Sequence, residues 1–168
     1  RIDATAAAQA EAEGVLGHAT PIAALARAAI ASPTIARAAT RAYWRESYVA
    51  VPFDGITLEG YIDLVFRDEP DGDGLVVVDY KTDSVDAETR AARTVQYRIQ
   101  AAAYALAVAE ATGERVGRAV LCFLDPAGSI EIEFAGSDLA DAVAEVRALV
   151  EAERDDPSPP PASVPAEA

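Results

Sequence analysis

Glu46, Asp63, Asp79 and Lys81 stand within segments rich in apolar and aromatic residues, at spacings that allow them to meet. Asp54-Gly55 is a two-residue hairpin signal that pairs Phe53 with Ile56 and thereby sets Glu46 opposite Asp63. A second hairpin centred near Asp71 sets Asp63 opposite Asp79 on the same sheet face. Neighbouring Cβ atoms in such a row lie roughly 5 Å apart, so the three carboxylates repel one another. An apolar sheet keeps them only if a cation neutralises them, because an unpaired buried ion costs several kcal/mol. With no Cys or His in these strands the donors are all oxygen, which suits Mg²⁺, with Mn²⁺ as a substitute. Lys81 lies two residues beyond Asp79 and therefore on the same face. There it can orient a water attacking a phosphate and offset charge building on the phosphorus, while the metal lowers the water's pKa. Taken alone, Asp-x-Lys at a strand end is an ordinary surface ion pair; the register separates the two readings.

The elements that must position these residues follow from the pattern along the chain. Residues 3–13, 20–30 and 32–42 read as helices, the last two opened by Thr20-Pro21 and Ser32-Pro33. Residues 43–53, 56–67 and 75–81 read as strands. A helix from near Glu88 to Thr112 ends at Gly113, a hairpin covers 116–125 and 129–134, and a helix capped by Ser137 or Asp138 runs to about Arg154. This order predicts an α/β sandwich with a mixed sheet, the 88–112 helix being the crossover between parallel strands. Residues 1–42 form an N-terminal helical segment, 43–155 the core, and 156–168 a Pro-rich disordered tail.

Composition narrows the rest. The net charge of −14 opposes unaided binding to a polyanion. Basic residues are 13 Arg and one Lys, so Lys81 is a retained ammonium in a chain that otherwise writes Arg. Cys122, flanked by Val-Leu and Phe-Leu, reads as a buried thiol in a reducing, cytoplasmic setting. No apolar run approaches a membrane span. The chain starts at Arg1 and has no Met, and it reads as a piece of a longer protein.

Gly60-Tyr61-Ile62-Asp63-Leu64-Val65, then Val76-Val77-Val78-Asp79-Tyr80-Lys81-Thr82-Asp83, then Gln100-Ala101-Ala102-Ala103-Tyr104 together resemble the RecB/AddA-type nuclease domain of the PD-(D/E)XK superfamily. The likeness covers about residues 43–135 and, with Trp44-Arg45-Glu46, is similar to the C-terminal nuclease domain of actinobacterial UvrD-like helicase-nucleases. It implies a restriction-endonuclease-like sandwich, with Asp63 and Asp79 as metal ligands, the Tyr80 carbonyl as a further ligand and Lys81 as the catalytic lysine. Glu46 matches the auxiliary acid. Gln100 and Tyr104 match the Gln-x-x-x-Tyr motif that supports the site and contacts the DNA strand, and Gln96, Gln100 and Tyr104 share one helical face.

The implied activity is Mg²⁺-dependent, exonucleolytic hydrolysis of single-stranded DNA in double-strand-break repair and recombination. The implied partners are DNA, the helicase motor domains of the same chain and a second subunit. The motor would grip the strand, and Arg93 and Arg98 beside the site would supply local positive charge. The sequence has no phosphate-binding loop of its own, so ATP binding would lie outside it. The family's early metal-binding His, in a Gly-Thr-x-x-His setting, is matched only in spacing by Gly14 to His18, which leaves two readings: His18 is that ligand, or the segment bearing it lies upstream. The competing reading is a non-catalytic nuclease-fold module that docks subunits and guides DNA.

Overall fold

A computed structural model describes residues 1–69, 74–82 and 88–155. Strands β1 (Tyr43–Phe53) and β2 (Ile56–Arg67) form a hairpin whose turn residues Asp54 and Gly55 both have positive φ, 45° and 89°, as this short turn requires. The register is the one the turn predicts, from Phe53↔Ile56 to Tyr43↔Phe66. Strand β3 (Leu75–Lys81) pairs antiparallel to β2 from Arg67↔Leu75 to Leu64↔Val78. The expected turn near Asp71 and the tail at 156–168 lie outside the described residues.

Helices α1 (Ile2–Ala12), α2 (Ala19–Ala31) and α3 (Pro33–Ala38) precede the strands. Helix α4 (Arg90–Thr112) follows β3 and ends at Gly113, whose φ of 69° fits a residue without a Cβ. It carries the chain over to β4 (Val116–Asp125), which runs parallel to β3, and β5 (Gly128–Ala135) and α5 (Gly136–Asp155) complete the fold. The sheet order is β1-β2-β3-β4-β5, mixed as expected.

Two helical layers cover the sheet. On one side Val49, Val51, Val65, Leu75 and Val77 pack against Ala107 and Val108 of α4, and α5 adds Ala142, Val146 and Val150 against Leu106. On the other, Leu64, Phe66, Val76, Val78 and Cys122 pack against Ala38 and Ile35 of α3. Strand β3 is therefore apolar on both faces until Asp79, which makes a carboxylate there conspicuous. Cys122 is fully buried, and that burial pushes its thiol pKa up.

Several helix ends differ from expectation. Helix α2 starts at Ala19, so Pro21 sits in its first turn instead of opening it. That is tolerated because the first four helical N–H groups have no partner within the helix. Helix α3 is shorter than predicted, ending at Ala38, although Ser32 does cap it by accepting from the Ile35 N–H. Helix α4 begins at Arg90, beyond Glu88, and α5 takes in Ser137 and Asp138 as part of its first turn.

Candidate active site

The strands β1 and β2 stop alternating at one place. Ile62 and Val65 both pack with α4 although they are an odd number of residues apart, and Trp44 and Val49 both line the same groove beside Val108. Strict alternation would send one of each pair to the opposite face. The break falls at Glu46 and Asp63, where pairing lapses between Arg45↔Leu64 and Ser47↔Ile62. Glu46 has φ 48°, a left-handed conformation rare for a side chain of its kind.

Beyond this break β2 and β3 stay linked through a side chain. Pairing between them ends at Leu64↔Val78, and Asp63 Oδ2 accepts the Tyr80 N–H at 2.7 Å. Tyr80 itself pairs with Cys122 of β4, and its half-buried phenol is pushed up to about 12 chiefly by burial. Burial pushes the Asp79 pKa up, and the charge of nearby Asp63 adds to that rise. Lys81 opposes it.

The row of three carboxylates expected from the register is not formed. Glu46 is exposed, and among the described residues no three His, Cys, Asp or Glu side chains gather as a metal-holding group. The register numbers are right, but the left-handed step at Glu46 interrupts the alternation on which a common face depends. Asp63 and Asp79 remain as a pair.

Lys81 connects this pair to α4. Its Nζ lies 2.6 Å from Asp79 Oδ2 and donates to Gln100 Oε1 at 2.8 Å, while Gln100 Nε2 donates to the Tyr104 hydroxyl at 3.1 Å. Lys81 also sits over the Tyr97 ring, 4.5 Å from its centroid. Asp79 Oδ2 is buried, and the Lys81 ammonium 2.6 Å away neutralises it. Asp79, Lys81, Gln100 and Tyr104 thus form one continuous chain of contacts. Gln96 lies outside it, exposed and accepting from Arg93 Nη1 at 2.8 Å. Arg98 is drawn away to Glu145 of α5, so its charge is spent there instead of at the site. His18 is exposed, in a short 3-10 turn before α2.

Sequence reasoning overlooked Tyr97, and gave no role to Gly60 beyond its place in a motif. Tyr97 stands three positions before Gln100 and seven before Tyr104, a helical spacing that could have drawn notice. Gly60 is a glycine inside a strand, a pattern that often marks close approach of another group. A Cβ on Gly60 would lie 3.1 Å from Tyr104 Cε1. Gly60→Val is therefore expected to cost about 1–3 kcal/mol in chemical denaturation. Combining it with Tyr104→Leu should recover part of that loss, since the ring edge is the obstacle; simply additive costs would mean the glycine serves another purpose.

The chain matches the model of the PD-(D/E)XK nuclease superfamily over residues 2–163 and belongs to that superfamily. No curated protein matches it. Among solved structures it is similar to one described as the crystal structure of SSO0001, with a TM-score of 0.39 and 17% identity over 65% of this chain and 50% of that one. The chain therefore spans half the length of that structure. Among the described residues no helix is long and apolar enough to cross a membrane.

Proposed function

We propose that this chain hydrolyses DNA phosphodiesters with a divalent metal, Mg²⁺ or Mn²⁺ in its place, at Asp63, Asp79 and Lys81. The observation that carries this reading is the pair of neighbouring carboxylates Asp63 and Asp79, the latter buried, with the chain's one lysine 2.6 Å from Asp79 Oδ2. Two neighbouring carboxylates, one of them buried, cost free energy unless cations neutralise both, and one ammonium offsets only one. Hard carboxylate oxygens suit a hard divalent ion, so Asp63 and Asp79 would hold it, with the Tyr80 carbonyl as a further ligand. The ion would supply positive charge to the phosphoryl oxygens.

The protein's own groups do the rest. Lys81 has three N–H donors: one is committed to Gln100, and the ammonium is anchored by Asp79, so a donor remains to orient the attacking water or a phosphate oxygen. Gln100 fixes the direction of that ammonium, and Tyr104 fixes Gln100. Glu46 is exposed, and as the auxiliary acid it would act from outside the pair that holds the metal.

The wider context is that of a RecB/AddA-type domain in a helicase-nuclease of double-strand-break repair, acting exonucleolytically on single strands. The charge of −14 supports a division of labour in which motor domains of the same protein, and a second subunit, hold and deliver the DNA. The test is digestion of an end-labelled single strand with Mg²⁺ or Mn²⁺. Cleavage should require the metal, stop on adding EDTA and be lost in Asp63→Asn. Cleavage indifferent to EDTA would reject the assignment, and no cleavage with either metal would favour a docking module.

A further inference from the structure

We propose that Tyr97 is a positioning residue for Lys81, holding the ammonium over its ring face so that its remaining donor points to the reacting phosphate. The inference rests on the nuclease reading above but adds a residue outside the three sequence motifs. Lysine is a point charge on a flexible four-carbon stem, so two polar partners alone leave it rotational freedom. The ring supplies a third constraint: Nζ lies 4.5 Å from the Tyr97 centroid, within cation–π range.

The ring is itself held. It packs against Phe123 with centroids 5.9 Å apart and planes tilted by 59°, and Phe123 is the β4 residue paired in register with Lys81. Tyr97 therefore roofs two neighbouring strand positions at once. Asp79, Gln100 and Tyr97 then surround an ammonium whose side chain is only 15% exposed, leaving little room for the donor to point elsewhere.

The attraction uses the ring face, which Tyr97→Phe retains, whereas Tyr97→Leu, which keeps apolar bulk against Phe123, should lower kcat about tenfold with KM little changed. Lys81 is the chain's only lysine, so lysine labelled with ¹³C and ¹⁵N gives a single side-chain signal whose position reports the ring directly. That signal should be shifted upfield by the ring current in wild type and Tyr97→Phe, and return to the ordinary lysine position in Tyr97→Leu.

The experiment pairs this spectrum with single-turnover cleavage for the three proteins, each first shown folded by thermal denaturation. An upfield signal lost in Tyr97→Leu together with the kcat defect supports the proposal. A lysine signal that does not respond to Tyr97→Leu, or an unchanged kcat when it does respond, overturns it. A wild-type chain that gives the shifted signal yet cleaves nothing instead removes the nuclease reading, and with it any positioning role, while leaving the lysine's placement measured.

Discussion

Asp79→Asn is expected to abolish cleavage, by about a thousandfold or more, while leaving the fold as stable as wild type or slightly more so. Both halves have the same cause. The carboxylate is buried, and burial with the neighbouring Asp63 charge pushes its pKa up against the opposing pull of Lys81, so the folded state resists its ionisation. The amide keeps the shape and removes the charge, relieving up to about 1 kcal/mol of that resistance. The same change weakens the oxygen donor that the proposed metal needs. Lys81→Ala should separate from it. Cleavage falls by about 10²–10³-fold, the scale for losing one oriented donor to developing charge. Stability now falls as well, by about 2–4 kcal/mol, because a mostly buried carboxylate is left without its counter-ion. In Asp79→Asn/Lys81→Ala that stability should largely return without activity. Equal destabilisation by both single changes would mean that Asp79 is a structural ion-pair member and not a site held at a cost.

Much of the fold was legible because turn chemistry fixes register. Asp54-Gly55 can only make one short hairpin here, and from Phe53↔Ile56 the remaining pairs follow by counting. The run Leu75–Val78, apolar at every position, announces a strand covered on both sides, and a long helix between it and the next strand implies the parallel crossover. Counting fails where the backbone stops alternating. The stretch Tyr43 to Tyr48 has no clean two-residue period, so nothing in it reveals the left-handed step at Glu46, and the step decides that two carboxylates meet instead of three. The motif residues of α4 were visible as a spacing, yet their roles are tertiary. Lys81 reaches Gln100, and Tyr97 reaches Lys81, only because α4 lies across β3 and β4, a relation that no local pattern encodes. Arg98 shows the converse, a cation read as serving the site but claimed by Glu145 on a helix far along the chain.

A stability effect of the same size should come from a residue just beyond the end of β2. Asp68 follows β2 and is 2% exposed, with its N–H donating to the Gly74 carbonyl at 2.9 Å. Its carboxylate accepts from Arg37 of α3 and, at 2.8 Å, from Arg118 Nη2 of β4, and Arg41 Nε lies 3.9 Å away. Burial alone would raise its pKa, but the Arg37 and Arg118 pairs outweigh it and hold the carboxyl below its usual range. Removing the carboxylate leaves several guanidinium groups facing a buried void. Asp68→Ala is therefore expected to cost about 2–4 kcal/mol at pH 7, the lower part of the range for breaking a buried pair, since Arg37 is over a third exposed and partly screened. For a chain of this size that is a fall in Tm of about 4–16 °C. The sign with pH follows from the lowered pKa. The stabilisation is complete above the unfolded carboxyl value of about 3.9 and disappears as pH falls through the lower folded value. Wild type and Asp68→Ala should thus differ most at neutral pH and converge in acid, as read by urea unfolding across that range. A gap that stays constant down to pH 2 would mean that the loss is one of packing and not of charge. Because Arg37 belongs to the helix whose Ala38 and Ile35 back Leu64 and Val78, loosening it should also slow cleavage through the strands that carry Asp63 and Asp79.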